Sequence, residues 1–258
     1  MAQKKHKEWF DHDLAQLLAL KIATVYPEFN RQGFITDIEG GVEQLELKAR
    51  LSYFSDRFLE YLPDDYPQAI AILVAILGAE NSQETGMMSE YYWTLPIATF
   101  IEEYGLEHYA ESIKAISEVT KRSTGEFAIR PYLKAEPKKT LDIMQQWSLA
   151  DNFHLRRLAS EGARTRLPWA TKLTFLIADP HPVLPILENL KDDPIRYVQR
   201  SVGNHLNDML KDNYDLGMNI VRDWLQDASP ARRWIIKHAL RKQAKDGNLE
   251  AIEIRQAL

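Results

Sequence analysis

The sequence predicts an all-α fold in which pairs of helices stack into a solenoid, that is, an α-α superhelix. Apolar residues recur with the helical period along nearly all of the 258 residues, and no run of them alternates as the residues of a strand do. In the second half, helix pairs follow one another at intervals of roughly 40 residues, as two-helix repeats do. Such repeats bury their apolar faces only by stacking on their neighbours, which leaves a concave surface lined by the second helices.

The composition is that of an ordinary globular protein and excludes several kinds of site. Hydrophobic residues make up 45% and charged residues 27% of the chain. The absence of cysteine excludes disulfide bonds, thiolate zinc sites and a cysteine nucleophile. No apolar segment of signal-peptide length follows the basic start M-A-Q-K-K-H-K, and the longest apolar run, Ala69 to Ala79, is too short to span a bilayer. We therefore expect a cytoplasmic protein without membrane contact.

We expect one all-α domain over residues 1–258, with a helical layer at 1–104 and repeats at 105–258. In the layer, the predicted helices are Leu14 to Ile22, Leu45 to Leu62, Pro67 to Leu77 and one that begins around Pro96. The predicted helix from Pro67 to Leu77 is apolar enough to be buried on all sides. Gly33, Gly40 and Gly41 favour a turn over Phe34 to Gly41, and Asn81 to Glu90 is a predicted loop. No cluster of reactive side chains occurs in this layer.

The predicted helices after residue 105 come in pairs. They are Leu106 to Lys121 with Thr124 to Leu133, Lys139 to Trp147 with Asp151 to Gly162, Pro182 to Lys191 with Pro194 to Lys211, and Asp215 to Gln226 with Pro230 to Lys245. The second helix of each later pair begins at a capping sequence: A-D-N at 150–152, D-D-P at 192–194 and A-S-P at 228–230. The length of the repeat is typical of HEAT-like repeats.

The two halves of the chain differ in charge. Residues 1–120 contain 9 Lys and Arg against 20 Asp and Glu, a net charge of −11, whereas residues 121–258 contain 23 against 17, a net charge of +6. This asymmetry indicates that the second half meets an anionic partner. The alternative is a chance clustering of charges on solvated helix faces.

Helical projection places several basic residues on the surface lined by the second helices. The side chains that share these polar faces are His154, Arg157, Glu161 and Arg164, then Arg200, Asn204, Asp208 and Lys211, and finally the stripe Arg233, Lys237 and Arg241. The prediction is a concave basic groove that contains a few isolated carboxylates. Lys and Arg neutralise phosphates, but carboxylates in such a groove need another explanation.

Three segments of the second half resemble the motifs of one enzyme family. They are R-R-L-A-S-E-G-A-R-T-R-L-P-W-A at 156–170, G-E-F-A-I-R-P-Y-L at 125–133 and S-V-G-N-H-L-N-D at 201–208. Over roughly residues 100–245 the chain resembles the HEAT-like-repeat DNA alkylation repair glycosylases, and the AlkC branch more closely than the AlkD branch. Some members of that branch carry an immunoglobulin-like domain after the repeats. We expect this chain to lack one, because no strand-rich segment follows its repeats.

The resemblance implies a monofunctional glycosylase that removes cationic N-alkylated bases, such as 3-methyladenine, from double-stranded DNA. It implies catalytic carboxylates at Glu126, Glu161 and Asp208 and a lesion-stacking indole at Trp169. We expect a monomer that needs no metal or other cofactor, and a location at the nucleoid if the source is bacterial. The predicted contacts to the DNA backbone are Arg157, Arg164, Arg166, Arg200, Arg233, Lys237 and Arg241.

These residue types suit the chemistry independently of the resemblance. Alkylation makes the base a cationic leaving group, so that it needs little or no protonation. The sugar then gains oxocarbenium character, which a fixed carboxylate stabilises, and the carboxylate also positions or deprotonates the attacking water. An indole face attracts a cationic base through a cation–π interaction of about 0.5–2 kcal/mol.

Each of these residues has a structural alternative. Glu161 could pair with neighbouring arginines in a surface network, and Asp208 could be solvated. Glu126 could sit near a helix N-terminus only because an acid is favourable there. Trp169 follows Pro168 at an expected helix start, where it could be a buried packing residue.

The arginine pair Arg156 and Arg157 also has an alternative, which is to hold adjacent repeats together rather than to contact DNA. For the whole chain, the alternative is a non-catalytic HEAT-repeat scaffold that binds DNA or an acidic protein. A further alternative is that the acidic first half binds a protein partner. A scaffold has no evident reason to place carboxylates among phosphate-binding arginines, which favours the glycosylase.

Overall fold

The computed structural model describes residues 5–258, and its regular elements in this range are sixteen α-helices and three short 3-10 helices. No strand occurs among the described residues, so the all-α prediction is confirmed. The first four residues, which carry part of the basic start, lie outside the described range. None of the helices in residues 5–258 combines the length and the hydropathy that a membrane crossing requires.

The chain divides into two compact units, Met1–Tyr132 and Leu133–Leu258. The prediction of one domain, with a change at residue 105, stays a prediction. The helices that begin in the first unit are α1 (His12–Val25), α2 (Arg31–Gly41), α3 (Leu47–Tyr61), α4 (Tyr66–Ala75), α5 (Leu95–Tyr104), α6 (Tyr109–Thr120) and α7 (Ile129–Ala135). The fully buried aromatic rings of Phe34, Phe54, Phe58 and Phe100 form the centre of its core.

Two predictions for the first unit were wrong. Phe34 to Gly41 belongs to α2 and is not a turn, because the side chain of Asn30 accepts the Gly33 N–H at 3.0 Å and caps the helix. Gly41 is there for close packing, since a Cβ atom on it would lie 2.2 Å from the Tyr53 hydroxyl. The helix α4 is not buried all round, because Gln68 and Ala71 on its outer side are exposed.

In the second unit, helices follow one another as stacked pairs. They are α8 (Pro137–Trp147), α9 (Phe153–Gly162), the short α10 (Thr174–Ala178), α11 (Leu184–Leu190), α12 (Arg196–Asp212), α13 (Tyr214–Leu225), α14 (Pro230–Ala239), α15 (Arg241–Lys245) and α16 (Leu249–Ala257). The helix α12 packs against α9 on one side and against α14 on the other. The second helices of three successive pairs are therefore neighbours, as the repeat pattern predicted.

Two of the three predicted capping sequences act as caps. The Asn152 side chain accepts the backbone N–H of His154 at 2.9 Å, and that of Ser229 accepts the N–H of Arg232 at 3.1 Å. The third prediction was wrong, because the Asp193 carboxylate accepts the N–H of Ile195 at 2.9 Å, and Ile195 is itself the N-cap residue of α12, which has no side-chain cap. Each cap satisfies backbone donors that have no partner inside the helix.

Two predicted second helices differ from the structure. The helix predicted from Pro230 to Lys245 is interrupted at Leu240, so that α14 and α15 are separate elements. The helix predicted from Thr124 begins only at Ile129, which leaves Glu126 in a loop. The first difference places Arg241 in α15 instead of in the same helix as Arg233, and the second places Glu126 outside a helix.

Candidate active site

A buried chain of ion pairs links α9, the loop after it and α12. The Arg164 guanidinium places Nη1 at 2.6 Å from Oε1 of Glu161 and Nε at 2.9 Å from Oδ2 of Asp208. Glu161 is only 5% and Asp208 only 2% exposed. One arginine therefore joins two predicted catalytic carboxylates through separate, charge-assisted hydrogen bonds.

The two carboxyl groups have pKa values displaced in opposite directions. Burial by itself would raise the pKa of Glu161, but the charges of Arg157 and Arg164 outweigh it and hold that pKa below its ordinary value of 4.5. Burial raises the pKa of Asp208 above its ordinary value of 3.8, in spite of Arg164 and Lys211. Pairs of acids whose environments separate their pKa values are typical of acid–base catalysis.

Arg164 reaches Asp208 because α9 ends at Gly162 and the chain then leaves the helical path. The helical projection placed Arg164 on the face of α9 that carries Glu161. The hydrogen bond to Glu161 agrees with that projection, but the contact with α12 depends on the end of the helix. Arg164 is itself buried, as is Thr165 beside it. The prediction that Arg164 contacts DNA stays a prediction, and its burial favours another role.

The other arginines of this segment also have protein partners. The Arg157 guanidinium lies over the ring of Tyr197, 5.0 Å from its centroid, and 3.6 Å from the Glu161 carboxylate. The Nε atom of Arg156 lies 2.6 Å from Asp193, which precedes α12. Arg156 therefore connects one repeat to the next, as its structural alternative proposed.

Asp212 is a carboxylate that the sequence analysis missed. Its Oδ1 accepts from Nη2 of Arg166 at 2.6 Å and from Nε at 2.8 Å, and its Oδ2 accepts from the Thr165 hydroxyl at 2.9 Å. This pair raises the pKa of the Arg166 guanidinium, chiefly through the hydrogen bond to Asp212. The signal was available, because Asp212 lies one helical turn after Asp208 and shares its face of α12.

Trp169 lies in the loop between α9 and α10, not at a helix start. Its side chain is 64% exposed, so it is not a buried packing residue. Its backbone φ is 63°, in the left-handed region that a bulky residue rarely adopts. Such strain in a loop is characteristic of functional positions. The loop therefore presents an indole to solvent five residues after the buried Arg164.

The polar residues of the 201–208 segment connect α12 to both neighbouring helices. Nδ1 of His205 donates to the Ser160 carbonyl on α9 at 3.0 Å, and Asn207 donates to the Ala239 carbonyl on α14 at 2.7 Å. Gly203 allows the close approach of α14, since a Cβ atom there would lie 2.9 Å from Cδ2 of His238. These contacts fix the helix that carries Asp208.

Asn204 links α12 to the basic side of the unit. Its side-chain oxygen accepts from Nε2 of His238 at 2.9 Å and from Nη2 of Arg241 at 2.8 Å. Burial, together with the smaller effects of the charges of Arg241 and Arg200, lowers the pKa of His238 to about 4. The imidazole therefore stays neutral at neutral pH, beside cations that attract an anion.

The remaining predicted DNA contacts are distributed over α12, α14 and α15. Arg200, Arg233 and Lys237 are exposed, whereas Arg241 is partly buried by its hydrogen bonds to Asn204 and to the His238 carbonyl. The interruption at Leu240 takes Arg241 out of the regular stripe that the uninterrupted helix predicted. These roles stay predictions.

Glu126 belongs to the first unit and is buried in the loop between α6 and α7. The Thr124 hydroxyl donates to its carboxylate at 3.0 Å and accepts its backbone N–H at 3.2 Å. Gly125 fits tightly against α6, since a Cβ atom on it would lie 2.8 Å from Ile116. The local geometry therefore holds Glu126 in one conformation, and its catalytic role stays a prediction.

Within residues 5–258, no group of three or more histidine or acidic side chains is arranged to hold a metal ion. The carboxylates of the site have basic neighbours instead, since Arg164 contacts both Glu161 and Asp208 and Lys211 lies 3.6 Å from Asp208. Electrostatic stabilisation of a developing positive charge and activation of water are the chemistry that this arrangement supports.

Comparison with known proteins supports the interpretation drawn from this geometry. Residues 101–243 match a family model described as DNA alkylation repair enzyme. The chain is 36% identical over 249 residues to the uncharacterized protein YhaZ of Bacillus subtilis (strain 168), an alignment that covers 96% of this chain and 67% of that protein.

A solved structure is similar over almost the whole chain. It is that of the Pseudomonas fluorescens alkylpurine DNA glycosylase AlkC bound to DNA containing an abasic site analog, with a TM-score of 0.88 and 35% identity over 98% of this chain and 68% of that one. This likeness confirms the predicted fold class and the predicted resemblance. The matched segment, the shared fold and the identity over nearly the full length show that the chain belongs to the family of DNA alkylation repair enzymes.

Proposed function

We propose that this protein is an alkylpurine DNA glycosylase that hydrolyses the N-glycosidic bond of cationic alkylated bases, of the 3-methyladenine type, in duplex DNA. The observation that carries the proposal is the buried pair Glu161 and Asp208, which one arginine connects. A scaffold protein would gain little from burying two carboxylates, because their desolvation costs several kcal/mol per ion. The likeness to a glycosylase that binds DNA with an abasic site analog supports the same assignment.

The displaced pKa values suggest a division of labour between the two acids. Glu161, whose pKa is lowered, is ionised at neutral pH and stabilises the positive charge that develops on the sugar as the C1′–N bond breaks. The bonding electrons leave with the base, which thereby becomes neutral. Asp208, whose pKa is raised, is the better base and takes a proton from the water that attacks C1′. The products are the free base and an intact strand with an abasic site.

Arg164 acts in this proposal as a positioning residue. Its two separate hydrogen bonds fix the carboxylates and keep Glu161 charged, which leaves the guanidinium little capacity to bind a phosphate. Arg157 is a second, more distant partner of the same Glu161 oxygen, at 3.6 Å, while it stacks on Tyr197. The backbone contacts come instead from the exposed cations, which neutralise phosphates without reading sequence.

Trp169 is the proposed lesion contact. Its exposed indole offers a face to a cationic base, and such contacts favour alkylated over neutral bases by about 0.5–2 kcal/mol. Glu126, held by Thr124, is the third proposed carboxylate. Replacement of either residue should lower base release without abolishing binding to undamaged duplex.

The decisive experiment is a single-turnover assay with methylated duplex DNA, in which released bases are separated by chromatography. We expect 3-methyladenine from the wild type, and a rate that Glu161→Gln reduces about 10²–10³-fold, the typical effect of removing one group that stabilises transition-state charge. The control is Glu250→Gln, which removes a carboxylate from an exposed pair with Arg222 and should leave the rate unchanged.

Three outcomes would contradict the proposal. Absence of base release by the folded wild type would exclude the glycosylase, and equal release by Glu161→Gln would exclude the role of this carboxylate. Circular dichroism and urea unfolding of both variants show whether a loss of rate reflects a loss of fold. Strand scission without alkali treatment would exclude the simple hydrolytic mechanism.

A further inference from the structure

An open cavity of about 360 Å³ lies where the last helices of the second unit meet. Its lining residues are Lys237, Ala244, Lys245, Ile252, Arg255 and Gln256. Three of these six are cations, and they come from three different helices, α14, α15 and α16. The three cationic side chains therefore border one shared open space.

The positive charge in this cavity is not compensated by neighbouring acids. Among the described residues, no carboxylate lies within ion-pair distance of Lys237, Lys245 or Arg255, and none lines the cavity. Two nearby acids are bound elsewhere, since Asp246 pairs with Lys242 at 2.5 Å and Glu250 with Arg222 at 2.8 Å.

The fold of the chain end builds the site. Gly247 has a φ of 88°, which lets the chain reverse between α15 and α16. The Asn248 side chain then caps α16 by accepting the Ala251 N–H at 2.9 Å. On the returning helix, Nε of Arg255 donates to the Lys237 carbonyl at 3.1 Å, so that the arginine is fixed beside the lysine. The terminal Nη atoms of Arg255 have no protein partner among residues 5–258 and are available to an anion.

The cavity is continuous with the basic side of α14. Lys237 belongs both to the exposed cations of α14 and to the cavity lining. Arg255 and Arg241 are close enough for their charges to act on the same imidazole, that of His238. An anion that follows the exposed cations of α12 and α14 therefore meets the cavity as the next site of positive charge.

We infer that Lys237, Lys245 and Arg255 form a binding site for a backbone phosphate of duplex DNA, at the end of the repeats and beyond α12 and α14. The inference rests on the proposed function in one respect, that the ligand is DNA. Ammonium and guanidinium groups donate to phosphate oxygens, and the cavity offers few groups that could recognise a base. The site therefore adds affinity without sequence preference.

The experiment compares binding isotherms of fluorescein-labelled duplex DNA across a series of salt concentrations. The variants are Lys245→Glu, a change at an exposed side chain, and the double variant Lys245→Ala/Arg255→Ala. Loss of one phosphate contact should lower the slope of log K against log salt by about 0.9 and weaken binding at least about threefold. The matched control is Lys242→Ala, which removes a cation from the same helix that is already paired with Asp246. It should leave the slope unchanged.

A second arm shortens the duplex stepwise from each end. The difference between wild type and Lys245→Glu should disappear once the duplex no longer reaches the cavity. Unchanged isotherms for both variants would overturn the inference. Equal weakening of DNA binding by Lys242→Ala would also overturn it. A difference between wild type and Lys245→Glu that persists on the shortest duplex would overturn it as well, because the variant would then affect the fold or the binding of a free anion.

Base release distinguishes this inference from the proposed function. At saturating protein, single-turnover release by the control Lys242→Ala should equal that of the wild type, whereas Lys245→Glu should need a higher protein concentration to reach saturation, because the variant weakens binding. A wild type that binds DNA with the expected slope but releases no base would overturn the glycosylase and leave the phosphate site standing. A wild type that releases base, together with variants that bind DNA as the wild type does, would support the glycosylase and overturn the phosphate site.

Discussion

Two regions of the second unit use the same kind of cation in opposite ways. Between α9 and α12, Arg164 is buried and both ends of its guanidinium are bound to carboxylates. On α14, Arg233 is exposed and its Nε donates only to a backbone carbonyl, that of Ala228, at 3.0 Å. The first arginine organises the protein, and the second is available to a ligand. Residue type alone does not separate these roles, whereas burial and the presence of acidic partners do.

The difference has an energetic basis. A buried cation is stable only with its partners, so its loss leaves two carboxylates in a poorly solvated place. An exposed cation is solvated with or without a partner, so its loss costs the fold little but removes a contact for a phosphate. The two regions can therefore be distinguished by measuring stability and DNA binding on the same variants.

The largest effect should come from Arg164→Met. Glu161 and Asp208 would remain buried without a shared counter-charge, so we expect the free energy of unfolding to fall by about 3–5 kcal/mol. Urea unfolding measures this loss, which should be greater at pH 8 than at pH 5, where the carboxylates can protonate. Arg233→Met is the control and should change stability by less than about 0.5 kcal/mol while weakening DNA binding. Equal loss in both variants would show that burial does not separate the two arginines.

An intermediate effect should follow Gly203→Ala, which tests how closely α14 must approach α12. The added methyl group would lie 2.9 Å from Cδ2 of His238 and 3.2 Å from the Ile235 carbonyl. We expect a loss of about 1–3 kcal/mol in the free energy of unfolding, as for other overpacked sites. The matched change is Gly40→Ala in α2, where a Cβ atom meets nothing within 4 Å. It should stabilise the protein by about 0.5–1 kcal/mol, and stabilisation by both would contradict the close approach.

The smallest effect concerns pH and His238. Its pKa in the folded protein is about 4, against an ordinary value of 6.5, so the unfolded chain takes up a proton first as the pH falls. His238 therefore contributes stability that is present above pH 6.5 and is lost as the pH falls towards 4. His238→Gln should flatten the decline of the urea midpoint in this window. The same change at the exposed His181 should leave the decline as it is, and identical curves for wild type and His238→Gln would contradict the cationic environment.

Local signals in the sequence were sufficient for much of the fold. Capping residues such as Asn152 and Ser229 act within one helical turn, so their effect can be deduced from neighbours in the chain. The period of apolar residues predicted the helices α9 and α12 for the same reason. Gly40 and Gly41 misled the analysis, because glycine is common both in turns and where helices pack closely.

The candidate site depended on contacts that local signals do not contain. Glu161, Asp208 and Trp169 were identified from a resemblance, and the helical positions of the two carboxylates followed from projection. The bond from Arg164 to Asp208 joins residues that are far apart in the chain and depends on the end of α9 at Gly162. The interruption at Leu240, which separates Arg241 from the basic stripe, depends in the same way on the packing of α15 and α16.

The left-handed backbone of Trp169 has a consequence for the evolution of this protein. A bulky residue at a φ of 63° costs about 1–3 kcal/mol relative to a relaxed backbone, and glycine or asparagine would avoid much of that cost. The cost is tolerable only if the exposed indole is useful. A library selected for heat resistance alone should therefore enrich glycine or asparagine at position 169. Selection for survival of cells under an alkylating agent should retain tryptophan.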